Sequence, residues 1–92
     1  MLQTFKCADT EKLFNGKRVA RFANIERVAL RKLEQLNLAQ TIDDMRAPPG
    51  NRLELLQGNR AGQWSVRIND QWRLCFRWEN NNALDVEIVD YH

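Results

Sequence analysis

Gly58-Asn59-Arg60-Ala61-Gly62-Gln63-Trp64-Ser65-Val66-Arg67-Ile68-Asn69-Asp70-Gln71-Trp72-Arg73-Leu74-Cys75-Phe76 is the stretch whose reading decides the fold. It consists of a turn and two amphipathic strands in which apolar residues alternate with arginines and small polar groups. In a strand successive side chains point to opposite faces, so parity divides these residues into two sets. Trp64, Val66 and Ile68 share one face, as do Trp72, Leu74, Phe76 and Trp78, followed by Leu84, Val86 and Ile88. That face suits a core. The other carries Ser65, Arg67, Arg73, Cys75 and Arg77, then Asp85, Glu87, Val89 and Tyr91. It suits an anion.

Working outward, period-two alternation continues through everything after Asn51 and predicts strands at about 52 to 56, 63 to 69, 72 to 79 and 83 to 90. Leu53 and Leu55 should point inward in the first, leaving Arg52 and Glu54 on the polar side. Gly58 to Gly62, Asn69-Asp70-Gln71 and Asn80-Asn81-Asn82 supply turns short enough to favour antiparallel hairpins. Upstream, Leu2 to Lys6 can form a short opening strand. Asp9 or Thr10 can cap a brief helix ended by Asn15-Gly16. Phe22, Ile25, Ala29, Leu33 and Leu36 follow the three- and four-residue steps of an amphipathic helix over 22 to 38, with Asn24 a candidate cap. A second helix is expected at Thr41 to Arg46, stopped by Pro48-Pro49-Gly50 and forming a hairpin with the first. The expectation is an α+β domain with helices on one face of a mainly antiparallel sheet.

At 92 residues the chain is one small domain, 1 to 92, with 43% hydrophobic and 28% charged residues. A core of this size buries only about 60 to 65% of the surface that the unfolded chain exposes. The net charge of +2 conceals asymmetry. Between Arg52 and Arg77 five arginines face only Glu54 and Asp70, whereas Glu79, Asp85, Glu87 and Asp90 follow. An ordinary mixed surface would pair Arg77 with Glu87. Arg67 and Arg73 have no obvious carboxylate apiece, which points to a polyanion, with Arg52 and Arg60 as further phosphate-binding candidates.

Cys7, Cys75 and the single terminal His92 cannot supply a disulfide framework or a zinc site, so no metal or other cofactor is expected. No segment approaches the roughly 20 apolar residues of a membrane span. A reduced, cytoplasmic protein that meets no membrane is the expectation. Core parity assigns Trp64, Trp72 and Trp78 to packing rather than base stacking. Cys75 reads as filler, and His92 taken alone reads as a frayed, solvated residue.

Pro48-Pro49-Gly50-Asn51-Arg52-Leu53, the Gly58 to Gly62 turn, Trp64-Ser65-Val66-Arg67-Ile68, Trp72-Arg73-Leu74-Cys75-Phe76 and the ending Asp90-Tyr91-His92, taken in this order and spacing, resemble the RelE-like bacterial toxins of the HigB type. The resemblance covers nearly the whole chain. It implies two helices against a twisted sheet of four or five strands, and a ribosome-dependent mRNA endonuclease neutralised by a cognate helix-turn-helix, HigA-like antitoxin. Operator DNA would be met only through that complex.

Such cleavage needs a base for the ribose 2′-OH, positive charge for the transition state and an acid for the departing oxygen. By resemblance, Arg73 stands at a phosphate-binding position, Arg67 at a second basic one, and Tyr91-His92 at a terminal pair that orients substrate and donates a proton. Many HigB-type toxins look like His-Pro-Leu-Lys-Gly where this chain has Glu54-Leu55-Leu56-Gln57-Gly58. Glu54 instead resembles the glutamate base of the YoeB branch. The candidate catalytic set is therefore Glu54, Arg73, Tyr91 and His92. Two other readings share these residues: a module that binds RNA or ribosomes without cutting, and a protein-interaction domain docking through its arginine face.

Overall fold

A computed structural model describes residues 1–90; Tyr91 and His92, half of the candidate catalytic set, lie outside the described residues. The elements are α1 (Ala8–Phe14), α2 (Glu26–Leu38), β1 (Glu54–Leu55), β2 (Gln63–Arg67), β3 (Trp72–Glu79) and β4 (Asn82–Asp90). The sheet runs β1-β2-β3-β4, antiparallel throughout. The opening segment adds a fifth, parallel line to the edge of β4 through bridges from Leu2 to Ala83 and from Phe5 to Val86.

Alternating parity builds the core. Across the strands Leu55, Trp64 and Phe76 form one row and Val66, Leu74 and Ile88 another. Phe22, Ala29, Leu33 and Leu36 pack into the same cluster, with the three tryptophans partly buried against it. Phe22 meets Trp72 edge-on at 5.5 Å, a favoured aromatic geometry. Tight turns set the register. Asn80 and Asn81 both take positive φ, 52° and 62°, the combination that matches a two-residue hairpin to strand twist. At the β2–β3 turn the Asn69 side chain accepts the backbone N–H of Gln71 and of Trp72, each at 2.8 Å.

Several sequence expectations need correction. Ala83, rather than Leu84, enters the core, because Asp85 adopts φ 53° in a bulge that sets Asp85 and Val86 against Phe76. Leu84 consequently falls beside Arg77 on the other face. The first strand shrinks to two residues, because Arg52 takes a left-handed conformation, φ 46° and ψ 55°, and cannot extend it. Leu53 does pack on the core, but Leu55 is 48% exposed at the sheet edge and Leu56 is buried instead.

The helical hairpin is α1 with α2. Ile42–Arg46 is only a five-residue 3₁₀ turn, in which Asp44 accepts the backbone N–H of Gln40 and Thr41 and the following prolines prevent elongation. Phe22 likewise sits in a separate 3₁₀ turn, and Ile25 rather than Asn24 precedes α2. Neither Asp9 nor Thr10 caps α1. Cys7 occupies that position, while the buried Thr10 hydroxyl accepts the N–H of Ile88 and ties α1 to β4.

Candidate active site

The sheet face opposite the helices carries three cross-strand rows: Arg67, Arg73 and Val89; then Glu54, Ser65, Cys75 and Glu87; then Gln63, Arg77 and Leu84. The middle row forms a floor. Ser65 and Cys75 are fully buried there, so this face is covered by its own polar layer rather than open as expected. Burial pushes the Cys75 thiol above its ordinary range, with Glu87 adding to the rise against Arg60 and Arg73, which keeps the sulfur protonated and inert.

Arg73 lies over that floor with 12% of its side chain exposed. Its Nε–H donates to Ser65 Oγ at 2.9 Å and its Nη2 to the Arg52 carbonyl at 2.9 Å. Glu54 Oε1 lies 2.9 Å from the same Nη2. Three elements thus converge on one guanidinium. The Arg52 carbonyl reaches it because of that residue's left-handed backbone, a conformation that costs roughly 1 to 2 kcal/mol for a residue with a Cβ.

Asn51 secures that backbone. Its buried amide donates to the carbonyls of Met45 at 3.0 Å and Ala47 at 3.1 Å, and to Gln35 Oε1 at 3.3 Å, while its oxygen accepts Lys32 Nζ. Desolvation, then the neighbouring Arg31, lowers the Lys32 pKa. Helix α2 therefore supports the loop on which Arg52 sits. Sequence reading missed this residue, and its only signal was an amide placed directly after Pro48-Pro49-Gly50.

Arg67 stands directly opposite Arg73 across β2 and β3. Contrary to expectation each has a carboxylate, since Arg67 pairs with Asp70 from the adjoining turn. The Asp70 side chain is almost wholly exposed, however, so that pair is weak and an anion can replace it. The hydrogen bond and charge of Arg67 hold the Asp70 carboxyl below its usual range. Like charges placed opposite one another repel, so a bound anion relieves the strand pair as well as filling the site.

Arg60, from the 3₁₀ turn Gly58–Arg60, reaches Glu87 at 2.8 Å and Gln63 at 3.1 Å. It thereby takes the carboxylate expected for Arg77. Arg77 instead binds Asp85 at 2.9 Å and Glu79 at 2.6 Å, because the bulge swings Asp85 onto its side. Of the predicted site residues, the geometry thus joins Glu54, Arg73 and the Arg52 backbone, sets Arg67 beside them, and gives Arg60 to the acidic end. Among the described residues the Arg52 side chain forms no ion pair within 4 Å.

The family description "RelE-like toxin of type II toxin-antitoxin system HigB" matches residues 3–92. Toxin HigB-1 of Vibrio cholerae is 49% identical over 63 residues, 68% of this chain and 66% of that protein. Endoribonuclease HigB of Proteus vulgaris is 37% identical over 41 residues, 45% of either chain. The aligned stretches therefore span no more than about two thirds of these relatives. Among solved structures, a chain of the YoeB–YefM complex from Staphylococcus aureus superposes with a TM-score of 0.57 at 18% identity, covering 100% of this chain and 98% of that one. At that identity the superposition speaks for the fold alone, and the fold agrees with what the sequence match over 90 positions carries: the chain belongs to the HigB-like, RelE-related toxins of type II toxin–antitoxin systems.

Proposed function

We propose that this protein is a ribosome-dependent mRNA endonuclease that inhibits translation, and that a cognate HigA-like antitoxin with a helix-turn-helix neutralises it. The observation that carries the reading is the Arg73 guanidinium, fixed between Ser65, the Arg52 carbonyl and Glu54 and facing Arg67. Such an arrangement can hold a phosphodiester and stabilise the charge that grows on its equatorial oxygens, where one well-placed donor accounts for about 10²-fold in rate. The Proteus relative's name supports an endonuclease, and membership of a type II toxin–antitoxin family supports a protein partner.

In the proposed reaction Glu54 takes the proton of the ribose 2′-OH, and the 2′-oxygen attacks phosphorus. The bond from phosphorus to the 5′-oxygen breaks. His92 protonates that oxygen, Tyr91 orients the nucleotide, and a 2′,3′-cyclic phosphate remains. Arg73 binds the reacting phosphate, with Arg67 and Arg52 along the backbone, while Arg60, paired with Glu87, stands apart from them. A net charge of +2 is too small for tight binding of free RNA, so the ribosome supplies position.

Purified protein should therefore cut mRNA readily on translating ribosomes and poorly when the RNA is naked. Glu54→Gln and His92→Gln should each slow single-turnover cleavage by about 10² or more with ribosome affinity kept, the usual scale for proton transfer. Efficient cutting of naked RNA would refute ribosome dependence. Both variants cleaving within a few-fold of wild type would refute their roles as base and acid.

A further inference from the structure

We infer that Ser65 is a positioning residue for the reaction: its hydroxyl fixes the direction in which Arg73 presents its guanidinium to phosphate. The inference rests on the proposed role of Arg73. Ser65 lies in mid-strand on β2, between Glu54 and Cys75 in the buried row, where a larger β-branched side chain would ordinarily serve a sheet better. The serine is fully buried, and its Oγ accepts Arg73 Nε–H at 2.9 Å from the diagonal position of the neighbouring strand.

Three anchors of Arg73 differ in kind. Glu54 is an anion, more than half exposed, and a phosphate competes with it directly for Nη2. Ser65 and the Arg52 carbonyl are neutral acceptors, so they hold the arginine without cancelling its charge. Of these two only Ser65 binds Nε, the atom at the root of the planar fork. Its bond therefore sets the plane of the guanidinium. Once substrate draws Nη2 from Glu54, Nε stays anchored and the fork need not search for its orientation.

A largely enclosed charged donor that loses its acceptor costs more than an ordinary hydrogen bond, and Ser65→Ala removes that acceptor while changing little volume. The experiment compares wild type, Ser65→Ala, Ser65→Thr, Arg73→Ala and the double variant Ser65→Ala/Arg73→Ala on programmed ribosomes. Single-turnover rate and half-saturating ribosome concentration are measured together, with the Arg73 Nε–H resonance followed by ¹⁵N NMR in the free protein.

Ser65→Ala should lower the saturated rate about tenfold, with half-saturation unchanged within about twofold, and speed exchange of the Nε proton. Ser65→Thr, which keeps the hydroxyl, should restore both. In the Arg73→Ala background, Ser65→Ala should have no further effect. Ser65→Ala matching wild type in rate and in Nε–H exchange would overturn the role of Ser65 while leaving Arg73 intact. An equal further loss in the Arg73→Ala background would also overturn it, as a purely structural effect. Arg73→Ala cleaving like wild type would instead overturn the reading of Arg73 itself.

Discussion

Arg73 and Arg77 lie four residues apart on the same strand and the same face, yet their surroundings give them different chemistry. Arg77 is 45% exposed and sits between Asp85 and Glu79, which cancel its charge at the surface. Such pairs contribute roughly 0 to 1 kcal/mol and leave little field for a ligand. Arg73 is nearly enclosed, and it is held by the neutral oxygens of Ser65 and the Arg52 backbone as well as by Glu54. Its charge is oriented by those neutral oxygens and answered by the exposed carboxylate of Glu54, for which a phosphate can compete. What separates the arginine proposed to bind phosphate from the surface one is the enclosure and the neutral oxygens around it, and neither strand nor face decides the matter.

The widest separation should appear in cells. At matched expression, Arg73→Ala should abolish growth arrest, whereas Arg77→Ala should arrest growth as wild type does, because a transition-state donor carries about 10² or more in rate and a surface pair does not. Growth arrest lost equally in both would erase the contrast between the two residues.

A smaller effect separates the frame beneath Arg73 from Arg73 itself. Asn51→Ala strands the Lys32 ammonium and two backbone carbonyls, and should destabilise the domain by about 2 to 3 kcal/mol. Denaturant unfolding reads this, and Arg77→Ala should stay within about 0.5 kcal/mol of wild type. A silent Asn51→Ala would mean that the Arg52 loop holds its left-handed backbone unaided.

The smallest effect concerns the turn before that loop. Hydrogen bonds from the N–H groups of Gln40 and Thr41 hold the Asp44 carboxyl below its ordinary value of 3.8. A carboxyl lowered by folding adds stability that is present above that value and lost as pH falls through the folded pKa. Asp44→Asn should therefore lower stability slightly at neutral pH, change it little below the folded pKa, and so flatten the acid limb of the stability curve. Urea titrations at pH 2.5 to 6 measure it, and an unaltered acid limb would show that these N–H groups do not hold the anion.

The same contrast explains what could be read from the sequence. Period-two alternation needs only polarity, so it placed Trp72, Leu74, Phe76 and Trp78 on the helix side and Arg73 on the other, as observed. Nothing in polarity reports a bulge. Asp85 reads as an ordinary outward residue, and its positive φ moved Leu84 out, Ala83 in and the partner of Arg77 from Glu87 to Asp85. Pairing in the site depends on loops as well: Arg60 reaches Glu87 from a turn 27 residues away, a distance no local pattern encodes. Asn51 and Ser65 were opaque because a lone amide or hydroxyl gains meaning only from the groups that folding brings to it.

Single-turnover cleavage of mRNA on programmed ribosomes by wild type, Arg73→Ala and Arg77→Ala, with ribosome affinity measured on the same samples, tests the central claim most directly. Arg73→Ala should fall by about 10² or more in rate at saturation while Arg77→Ala remains within a few-fold of wild type. Equal rates for the two variants, or cleavage by Arg73→Ala at the wild-type rate, would contradict the account.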